Sequence, residues 1–595
     1  MIFILLPFGC PPSIPYHYTY KHRTKMRNVH LIITFIVFLG FISCRQIPIA
    51  PAEYASPKSA IEDNAMVVSP HPLSSQVGVD ILKQGGNAID ATVAVHFAMA
   101  VVFPRAGNIG GGGFMVLREA DGAIAALDYR EKAPATAFRD MYLDSLGNII
   151  DGLSTKGHLA SGVPGTVDGL IRAHQRYGQL DFAKLIQPAI DLARNGFAIT
   201  QTEADRLNRY MEDFAKYNKD DSPFIKERWQ EGDILIQENL AKTLRRIKKK
   251  GRAGFYGGKT ADYITAEMKM GNGIITKEDL ANYKATWRTP LTGHYKNYRV
   301  ISMPPSSSGG VALLQLMEMM EPYPLSEYGF HSPESIHLMA EAERRVYADR
   351  AEYMGDMDFY PVPIDSLTDS VYLARRMADY SPDTVSISDS TKAGSFKLLK
   401  ESFETTHTSI VDVEGNAVSV TTTINSNFGS KVLVHGGGFF LNNEMDDFSS
   451  KPGVPNQFGL IGAEANAIQG GKRMLSSMTP TIVEKDGELF LVLGAPGGST
   501  IITAVFQVIM NTIAFDMPLD EAVEASRFHH QWLPDMLTLE RDGFDQETQE
   551  ALKALGHALR EVNRMAVIKA VKRLENGQLH GAADPRNPDD TALGY

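Results

Sequence analysis

The stretch ETTHTSIVDVEGNAVSVTTT, residues 404–423, predicts a β-hairpin. Polar and apolar side chains alternate along 405–412 and again along 416–423, and the loop 413–415 between them ends in glycine. A three-residue loop of this kind suits a type I turn closed by a glycine in the left-handed conformation. That turn puts Thr405 opposite Thr423 on the neighbouring strand.

The residues before the hairpin predict a site at which the chain can be cut. Residues 380–404 are rich in Ser, Asp and Thr without a clear period, which predicts an exposed linker. A threonine freed at the start of a strand supplies a hydroxyl nucleophile and, in its α-amine with a pKa of roughly 7.7 to 8.0, a base. Thr405 is therefore a candidate nucleophile, although a threonine-rich strand also follows from β-propensity alone.

Three later segments carry groups that suit such a nucleophile. Residues 442–448 hold three carboxylates within four positions, which can cradle an ammonium or calcium ion or form a solvated acidic turn. Residues 472–480 offer the adjacent hydroxyls of Ser476 and Ser477. Residues 494–500, GAPGGST, lie between a predicted strand and helix, where backbone N–H groups can bind an anion or a developing oxyanion.

The hydrophobic pattern predicts sheets covered by helices. Two helices are expected in 74–103 on either side of Gly85-Gly86-Asn87, and mostly helices in 160–343. Strands are expected at 478–484 and 489–493, followed by a helix at 500–513. A strand-rich last third behind a helix-rich front half favours a layered α+β architecture.

Composition excludes several classes of protein. The chain has 595 residues and a net charge of −11, which disfavours nucleic-acid binding. Its two cysteines are Cys10 and Cys44, so the remainder holds no disulfide, thiol nucleophile or cysteine metal cage. The metalloprotease motif HExxH and the hydrolase motif GxSxG do not occur, and we expect neither a metal nor a cofactor.

The first 45 residues predict export. From Met26, the expected start, a basic residue precedes an apolar run at 31–42 and then Ser43 and Cys44. This is the layout of a signal peptide, and FISC (41–44) loosely matches a bacterial lipobox. Plain secretion and lipidation at Cys44 both remain open, so we expect a periplasmic protein or a membrane-anchored lipoprotein. Residues 46–62 predict a Pro/Ala/Ser tether.

Nine ordered motifs between about residue 64 and residue 595 resemble the gamma-glutamyltransferase (gamma-glutamyltranspeptidase) family. They are PRAGNIGGGGFM (104–115), DYREKAPA (128–135), HLASGVPGTVDG (158–169), MPPSSSGG (303–310), TTHTS (405–409), LNNEMDDFS (441–449), SSMTPTIV (476–483), GAPGGS (494–499) and RFHHQWLP (527–534). This family has the N-terminal nucleophile hydrolase fold, a four-layer αββα sandwich, and is made as a self-cleaving precursor.

The resemblance implies a large subunit at 63–404 and a small catalytic subunit at 405–595, intertwined in one domain. Thr405 would attack the Glu404 carbonyl to free its own amine, and would then form an ester with the γ-glutamyl group of a substrate. Thr423 would bond the nucleophile, and the backbone N–H groups of Gly497 and Gly498 would form the oxyanion hole.

The resemblance also implies how the charged end of the glutamyl group is bound. Its α-carboxylate would be bound by Arg130, Ser476 and Ser477. Its α-ammonium would be bound by Asn425, Glu444 and Asp447. Without the resemblance, Arg130 would be interpreted as half of a surface ion pair with Glu131.

Two residues depart from the bacterial pattern of the family. Glu444 stands where glutamine is frequent and adds a negative charge beside the substrate amine. Phe458 stands where tyrosine is common in a loop, 451–462, that resembles the bacterial lid, so the lid lacks that hydroxyl contact. His529 and His530 belong to a family motif, and we expect them to have a structural role.

The expected activity is hydrolysis and transpeptidation of glutathione and related γ-glutamyl compounds, with water, an amino acid or a dipeptide as acceptor. Two alternatives share the fold: a cephalosporin or glutaryl acylase, and a polyglutamate depolymerase. A glutaryl group lacks the α-amine and does not require the acidic cluster, so Glu444 and Asp447 favour the amino-acid substrate. A non-enzymatic surface-binding lipoprotein is disfavoured because every matched catalytic residue is present.

Overall fold

The computed structural model describes residues 50, 54–392, 405–451, 454, 456, 457, 460 and 462–595. The predicted leader 1–45 with Met26 and Cys44, tether residues 46–49 and 51–53, Glu404 and Phe458 lie outside these residues, so what was expected of them stays a prediction. In the described part of the chain, no helix is long and apolar enough to cross a membrane.

Nineteen strands occur in the described residues. In chain order they are β1 (Ser59–Glu62), β2 (Met66–Ser69), β3 (Gly112–Arg118), β4 (Ile124–Asp128), β5 (Phe197–Ala198), β6 (Ile234–Leu235), β7 (Thr286–Arg288), β8 (Leu291–Tyr295), β9 (Tyr298–Ser302), β10 (Thr406–Val411), β11 (Ala417–Thr423), β12 (Thr481–Lys485), β13 (Glu488–Gly494), β14 (Phe528–His529), β15 (Leu537–Glu540), β16 (Leu559–Val562), β17 (Lys569–Arg573), β18 (Leu579–Ala583) and β19 (Thr591–Gly594).

Helices of one to six turns surround these strands. They are α1 (Pro72–Lys83), α2 (Ala88–Val102), α3 (Thr166–Tyr177), α4 (Phe182–Asn195), α5 (Gln201–Arg209), α6 (Met211–Tyr217), α7 (Glu238–Lys250), α8 (Ala253–Tyr256), α9 (Gly258–Met270), α10 (Lys277–Asn282), α11 (Gly309–Met320), α12 (Leu325–Tyr328), α13 (Pro333–Tyr353), α14 (Ile364–Leu367), α15 (Ser370–Arg376), α16 (Thr500–Ile513), α17 (Leu519–Glu524) and α18 (Gln546–Ala554). Short 3₁₀ turns lie at His158–Ala160, Glu444–Asp447 and Glu464–Asn466.

Two seven-stranded antiparallel sheets form the centre of the protein. The nucleophile sheet has the order β19-β2-β10-β11-β3-β4-β7, and the second sheet has the order β1-β18-β17-β13-β12-β9-β8. Strands β10 and β11 pack against β13 and β17 across the space between the sheets. Helices α1 and α2 cover the outer face of the nucleophile sheet, and α11 and α16 cover that of the second sheet. The predicted αββα architecture is confirmed.

The hairpin has the predicted register. Thr406 pairs with Thr422 and Val411 with Ala417, so Thr405 is opposite Thr423. The turn depends on Gly415, whose φ of 90° is strained for other residues. It is also stabilised by Asp412, whose Oδ1 accepts the backbone N–H groups of Glu414 and Asn416 at 3.0 and 2.9 Å.

Other predicted elements appear close to their expected bounds. Helices α1 and α2 are separated at Gly85, and Asn87 caps α2 in a reciprocal bond with Asp90. The expected strands near 478–493 are β12 and β13, and α16 covers the predicted 500–513.

Residues 160–343 are mostly helical, as expected, but 286–302 contain the strands β7, β8 and β9. Strand β7 is the edge strand of the nucleophile sheet, and β8 is the edge strand of the second sheet, with β9 next to it. Much of these strands is only partly buried, so they lack the clear hydrophobic alternation that identifies an internal strand.

The tether and the linker are also more structured than predicted. Residues 59–62, assigned to the tether, form β1 and pair with β18, with Ser59 opposite Ala582. In the predicted linker 380–404, Ser388 is buried, its N–H donates to Asp535 Oδ2 at 2.7 Å, and its carbonyl accepts Trp532 Nε1–H at 3.0 Å. These partners lie at least 140 residues away and cannot be read from local pattern.

Candidate active site

Thr405 lies directly before β10, at one end of the space between the two sheets. It is 8% exposed. Side chains alternate along a strand, so Thr405, His407 and Ser409 share a face. The Ser409 hydroxyl donates to the Lys569 carbonyl of β17 at 3.0 Å, which shows that this face is turned toward the second sheet.

Nine of the ten predicted site residues line one pocket, which we call the donor pocket. It also includes Arg350, which the sequence did not single out. The predicted residues in it are Thr405, Thr423, Gly498, Arg130, Asn425, Glu444, Asp447, Ser476 and Ser477. The tenth, Gly497, lines an adjoining pocket that Thr405 shares. Residues separated by more than 300 positions in sequence are thus brought to one nucleophile.

Thr423 and Asn425 shape the end of β11 beside the nucleophile. The Thr423 hydroxyl oxygen accepts the backbone N–H of Asn425 at 2.7 Å. Asn425 has a φ of 70°, a conformation that asparagine tolerates better than most residues. Its Nδ2 donates to Asp447 Oδ1 at 3.3 Å, which leaves the amide oxygen as the acceptor expected for an ammonium group.

Arg130 lies at the centre of a buried charge cluster. Its side chain has no exposed surface. Nη1 lies 2.6 Å from Glu444 Oε2 and Nη2 lies 2.5 Å from Asp447 Oδ2. Glu131 is 3.6 Å away and equally buried, so the alternative of a surface ion pair is wrong. The acidic turn is not solvated either, since Glu444 is fully buried.

The buried cluster shifts the pKa values of its members. Burial raises the pKa of Glu444 well above its ordinary value, although Arg130 opposes the shift. Burial likewise raises the pKa of Asp447, and it raises the pKa of Glu131 to about 8. Burial alone would lower the pKa of Arg130, but the adjacent carboxylates of Glu444 and Asp447 raise it. Three acids around one guanidinium leave an environment that favours an added ammonium group.

Arg350 of α13 is the main residue that the sequence analysis missed. It is 3% exposed, and its Nη2 donates to Ser477 Oγ at 3.0 Å while its Nε donates to Ser308 Oγ at 2.9 Å. Ser476 is held nearby, because its N–H donates to the Ser306 carbonyl at 3.0 Å. Arg350 stands in a charged helix, AERRVYADRAEY, in which no local pattern marks it as a site residue.

Gly497 and Gly498 connect β13 to the start of α16. Their φ angles are 146° and 57°, both in the region that favours glycine. A Cβ on Gly497 would come within 2.7 Å of the Ala566 Cα, so side chains are excluded there. The backbone before a helix start presents unpaired N–H groups, as an oxyanion hole requires.

Described residues of the loop 451–462 contact the acidic turn. Asn456, Leu460 and Gly462 line the donor pocket. The Gln457 N–H donates to Asp446 Oδ2 at 2.9 Å. The loop therefore borders the site, as the lid resemblance implies.

His529 and His530 lie outside the donor pocket. His529 is bonded to Gln531 Oε1 at 2.8 Å and Thr503 Oγ1 at 2.9 Å. Burial lowers the pKa values of His529 and His530 to about 3 and 4. Neutral, buried and bonded rings fit the structural role that we expected for them.

Comparisons with known proteins agree with this geometry. A sequence model described as Gamma-glutamyltranspeptidase matches residues 74–594. The chain is 48% identical over 534 residues to the glutathione hydrolase proenzyme of Escherichia coli (strain K12), covering 89% of this chain and 92% of that protein.

Two solved structures are also similar. The gamma-glutamyltranspeptidase of Helicobacter pylori matches with a TM-score of 0.53 and 48% identity, over 55% of this chain and 94% of that chain. The cephalosporin acylase of Bacillus halodurans matches with a TM-score of 0.78 but 25% identity, over 92% of this chain and 99% of that chain. The acylase shares the fold at lower sequence identity. These matches, together with the motifs and the fold, show that the chain belongs to the gamma-glutamyltranspeptidase family.

Proposed function

We propose that this protein hydrolyses γ-glutamyl bonds and transfers the γ-glutamyl group to amines, with glutathione as a substrate. The observation that carries the proposal is the donor pocket, in which Thr405 shares one space with a buried arginine and buried acids. A glutamyl amino-acid end carries one carboxylate and one ammonium, and these charges complement that set. The similarity to proteins named glutathione hydrolase proenzyme supports the choice of substrate.

Substrate binding exchanges one set of ion pairs for another. In the donor pocket, Glu444 and Asp447 pair with Arg130. The substrate α-carboxylate binds the Arg130 guanidinium and the hydroxyls of Ser476 and Ser477. The substrate α-ammonium binds the carboxylates of Glu444 and Asp447 in place of Arg130. The substrate's two charges cancel, so binding adds no net charge to a buried site and its desolvation cost stays low.

The chemical steps then use Thr405 alone as nucleophile and base. Its α-amine takes the hydroxyl proton while Oγ bonds to the γ-carbonyl carbon, and the amide C–N bond breaks as the amine returns the proton to the leaving nitrogen. Oxyanion stabilisation by the Gly497 and Gly498 N–H groups contributes about 3 kcal/mol per donor. Water or an amine then cleaves the γ-glutamyl ester in the same way.

This mechanism requires maturation, because the amine of Thr405 exists only after the bond from Glu404 is cut. The cut produces subunits 63–404 and 405–595, and because both contribute strands to both sheets, strand pairing holds the two chains together. Thr405→Ala should give one unprocessed band on a denaturing gel. Two subunits from that variant would exclude Thr405 as the processing residue.

The direct test is product analysis with purified, processed protein. Glutathione should yield glutamate in water and γ-glutamyl-glycylglycine when glycylglycine is added. Absence of both products would refute the proposal. Release of glutamate without formation of γ-glutamyl-glycylglycine would restrict the proposed function to hydrolysis.

The acylase alternative is distinguished by a matched pair of substrates. γ-Glutamyl-p-nitroanilide and glutaryl-p-nitroanilide differ only in the α-amine. Because Glu444 is fully buried and Asp447 mostly buried beside the nucleophile, we expect strong preference for the γ-glutamyl compound. Preference for the glutaryl compound would favour an acylase. Release of glutamate oligomers from poly-γ-glutamate tests the depolymerase alternative.

Export is a proposal that rests on residues 26–44 of the sequence. Cell fractionation should recover the protein outside the cytoplasm. Labelling with a fatty-acid analogue, compared between wild type and Cys44→Ala, decides between lipidation and plain secretion.

A further inference from the structure

Asn466 joins two parts of the donor pocket through its side-chain amide. One part is the acidic turn, Glu444–Asp447, and the other is the serine segment, residues 474–477, which carries the two serine hydroxyls. Asn466 Nδ2 donates to the Asp447 carbonyl at 2.7 Å, and Asn466 Oδ1 accepts the Leu475 N–H at 3.0 Å. Asn466 lines the donor pocket and is 4% exposed, so water competes little for these two bonds.

Arg130 makes a second link between the acidic turn and the serine segment. Its Nη2 lies 2.5 Å from Asp447 Oδ2, and its Nε and Nη2 donate to the carbonyls of Met474 and Leu475, each at 3.4 Å. The proposed substrate binding breaks the contact between Arg130 and Asp447, because the substrate binds to both. The bridge through Asn466 uses an amide and two backbone groups, so it remains when the substrate is bound.

The short turn that carries Asn466 is held by a buried lysine. Lys472 is 4% exposed, and its Nζ donates to the carbonyls of Ala465 and Ala467 at 2.8 and 3.0 Å. The Asn466 carbonyl also accepts the Ser449 N–H at 2.9 Å. These bonds fix the backbone on both sides of Asn466, so the position of its amide is set before a substrate arrives.

The spacing of the acidic turn and the serine segment matters because a glutamyl substrate presents its two charges from one carbon atom. Its α-carboxylate and α-ammonium can be bound together only if their partners lie the right distance apart. We propose that Asn466 is a positioning residue that holds the acidic turn and the serine segment at this distance, and so selects compounds that carry both charges. Partners fixed in advance lower the ordering cost of binding. This inference rests on the proposed γ-glutamyl function.

Competitive inhibitors that carry one or both charges provide the test. Glutamate carries both α-groups, whereas glutarate lacks the ammonium and 4-aminobutyrate lacks the α-carboxylate. Asn466→Leu keeps the branched shape of the side chain and removes both hydrogen bonds without adding a charge.

For Asn466→Leu, we expect Ki for glutamate and KM for γ-glutamyl-p-nitroanilide to rise about tenfold, with kcat changed less than about twofold. Ki for glutarate and Ki for 4-aminobutyrate should each change less than about twofold. Each of these two compounds engages only the acidic turn or only the serine segment, so the distance between them does not affect its binding.

Lys472→Met tests the same spacing without a change to Asn466. It removes the donor to the carbonyls of Ala465 and Ala467 and keeps the length of the side chain, so Ki for glutamate should rise about threefold. Lys472→Arg keeps a cation with donors at this position and should restore most of the affinity for glutamate.

Asn208→Leu is the matched control, because Asn208 also bonds backbone groups through both ends of its amide. Its Nδ2 donates to the Trp229 carbonyl at 2.9 Å and its Oδ1 accepts the Trp229 N–H at 2.8 Å. Asn208 does not line the donor pocket, so all three inhibition constants should stay within about twofold of wild type. Every variant is checked for both subunits on a denaturing gel.

An equal rise of all three inhibition constants in Asn466→Leu would overturn the inference, as would a fall in kcat as large as the rise in KM, or unchanged affinity for glutamate. If Asn466→Leu is not processed, Lys472→Met decides by the same criteria. Failure of both variants to mature would show that these contacts serve folding and would also overturn the inference. A wild type that releases no p-nitroaniline from γ-glutamyl-p-nitroanilide would instead refute the proposed function.

Discussion

The change Arg130→Lys tests how the donor pocket recognises its substrate. It keeps the positive charge and removes the planar fork of the guanidinium. Two nitrogens of Arg130 contact separate groups, Glu444 at 2.6 Å and Asp447 at 2.5 Å, without exposure to water. The single lysine nitrogen cannot hold a substrate carboxylate in the same two-pronged way.

The loss of one buried charge-assisted hydrogen bond costs about 1.5 to 3 kcal/mol. That cost corresponds to a fall of about 10- to 100-fold in kcat/KM, and we expect most of it in KM. γ-Glutamyl-p-nitroanilide reports the fall by absorbance. 4-Aminobutyryl-p-nitroanilide, which lacks only the α-carboxylate, should react equally slowly with wild type and variant.

The comparison of the two substrates separates recognition from damage to the site. If Arg130→Lys lowers kcat/KM equally for both compounds, Arg130 acts on folding or on the nucleophile and not on the carboxylate. If the variant matches wild type on the γ-glutamyl compound, the assignment of Arg130 is refuted. A thermal midpoint and the presence of both subunits show that the variant is folded.

Three further perturbations have expected outcomes. Burial raises the pKa of Asp446 from 3.8 to about 6, so the folded state binds its proton more tightly than the unfolded state does. Between pH 4 and pH 6 wild type should therefore lose about 2 kcal/mol of unfolding free energy relative to Asp446→Asn, and parallel pH curves of the two proteins would contradict this. Arg350→Gln removes the donor to Ser477 Oγ and should lower kcat/KM by about tenfold, whereas an unchanged value would leave Arg350 a purely structural residue. Gly497→Ala should abolish processing, judged on gels, and activity, judged by glutathione turnover. The control is Gly487→Ala in an open turn with positive φ, which should lower stability by about 1 kcal/mol and leave activity unchanged. Equal effects of the two substitutions would exclude a special role for Gly497.

The candidate site was largely predictable because most of its residues fall in short motifs. Thr405 and the other nine predicted residues lie close together, and all but Gly497 line the donor pocket. The motifs could not predict how deeply the charged side chains are buried or how they pair. That Arg130 is fully buried between Glu444 and Asp447, and that Arg350 of α13 reaches Ser477, depends on contacts between segments distant in sequence.

The sequence by itself determined the features that depend on neighbouring residues. Turn length and Gly415 set the hairpin register that places Thr405 opposite Thr423, and periodicity set the bounds of α16. Only the tertiary structure decided which strands complete the sheets. Strand β1, in the predicted tether, pairs with β18 more than 500 residues away. A short edge strand gains its stability from that pairing and not from its own side chains, so its sequence carries little sign of it.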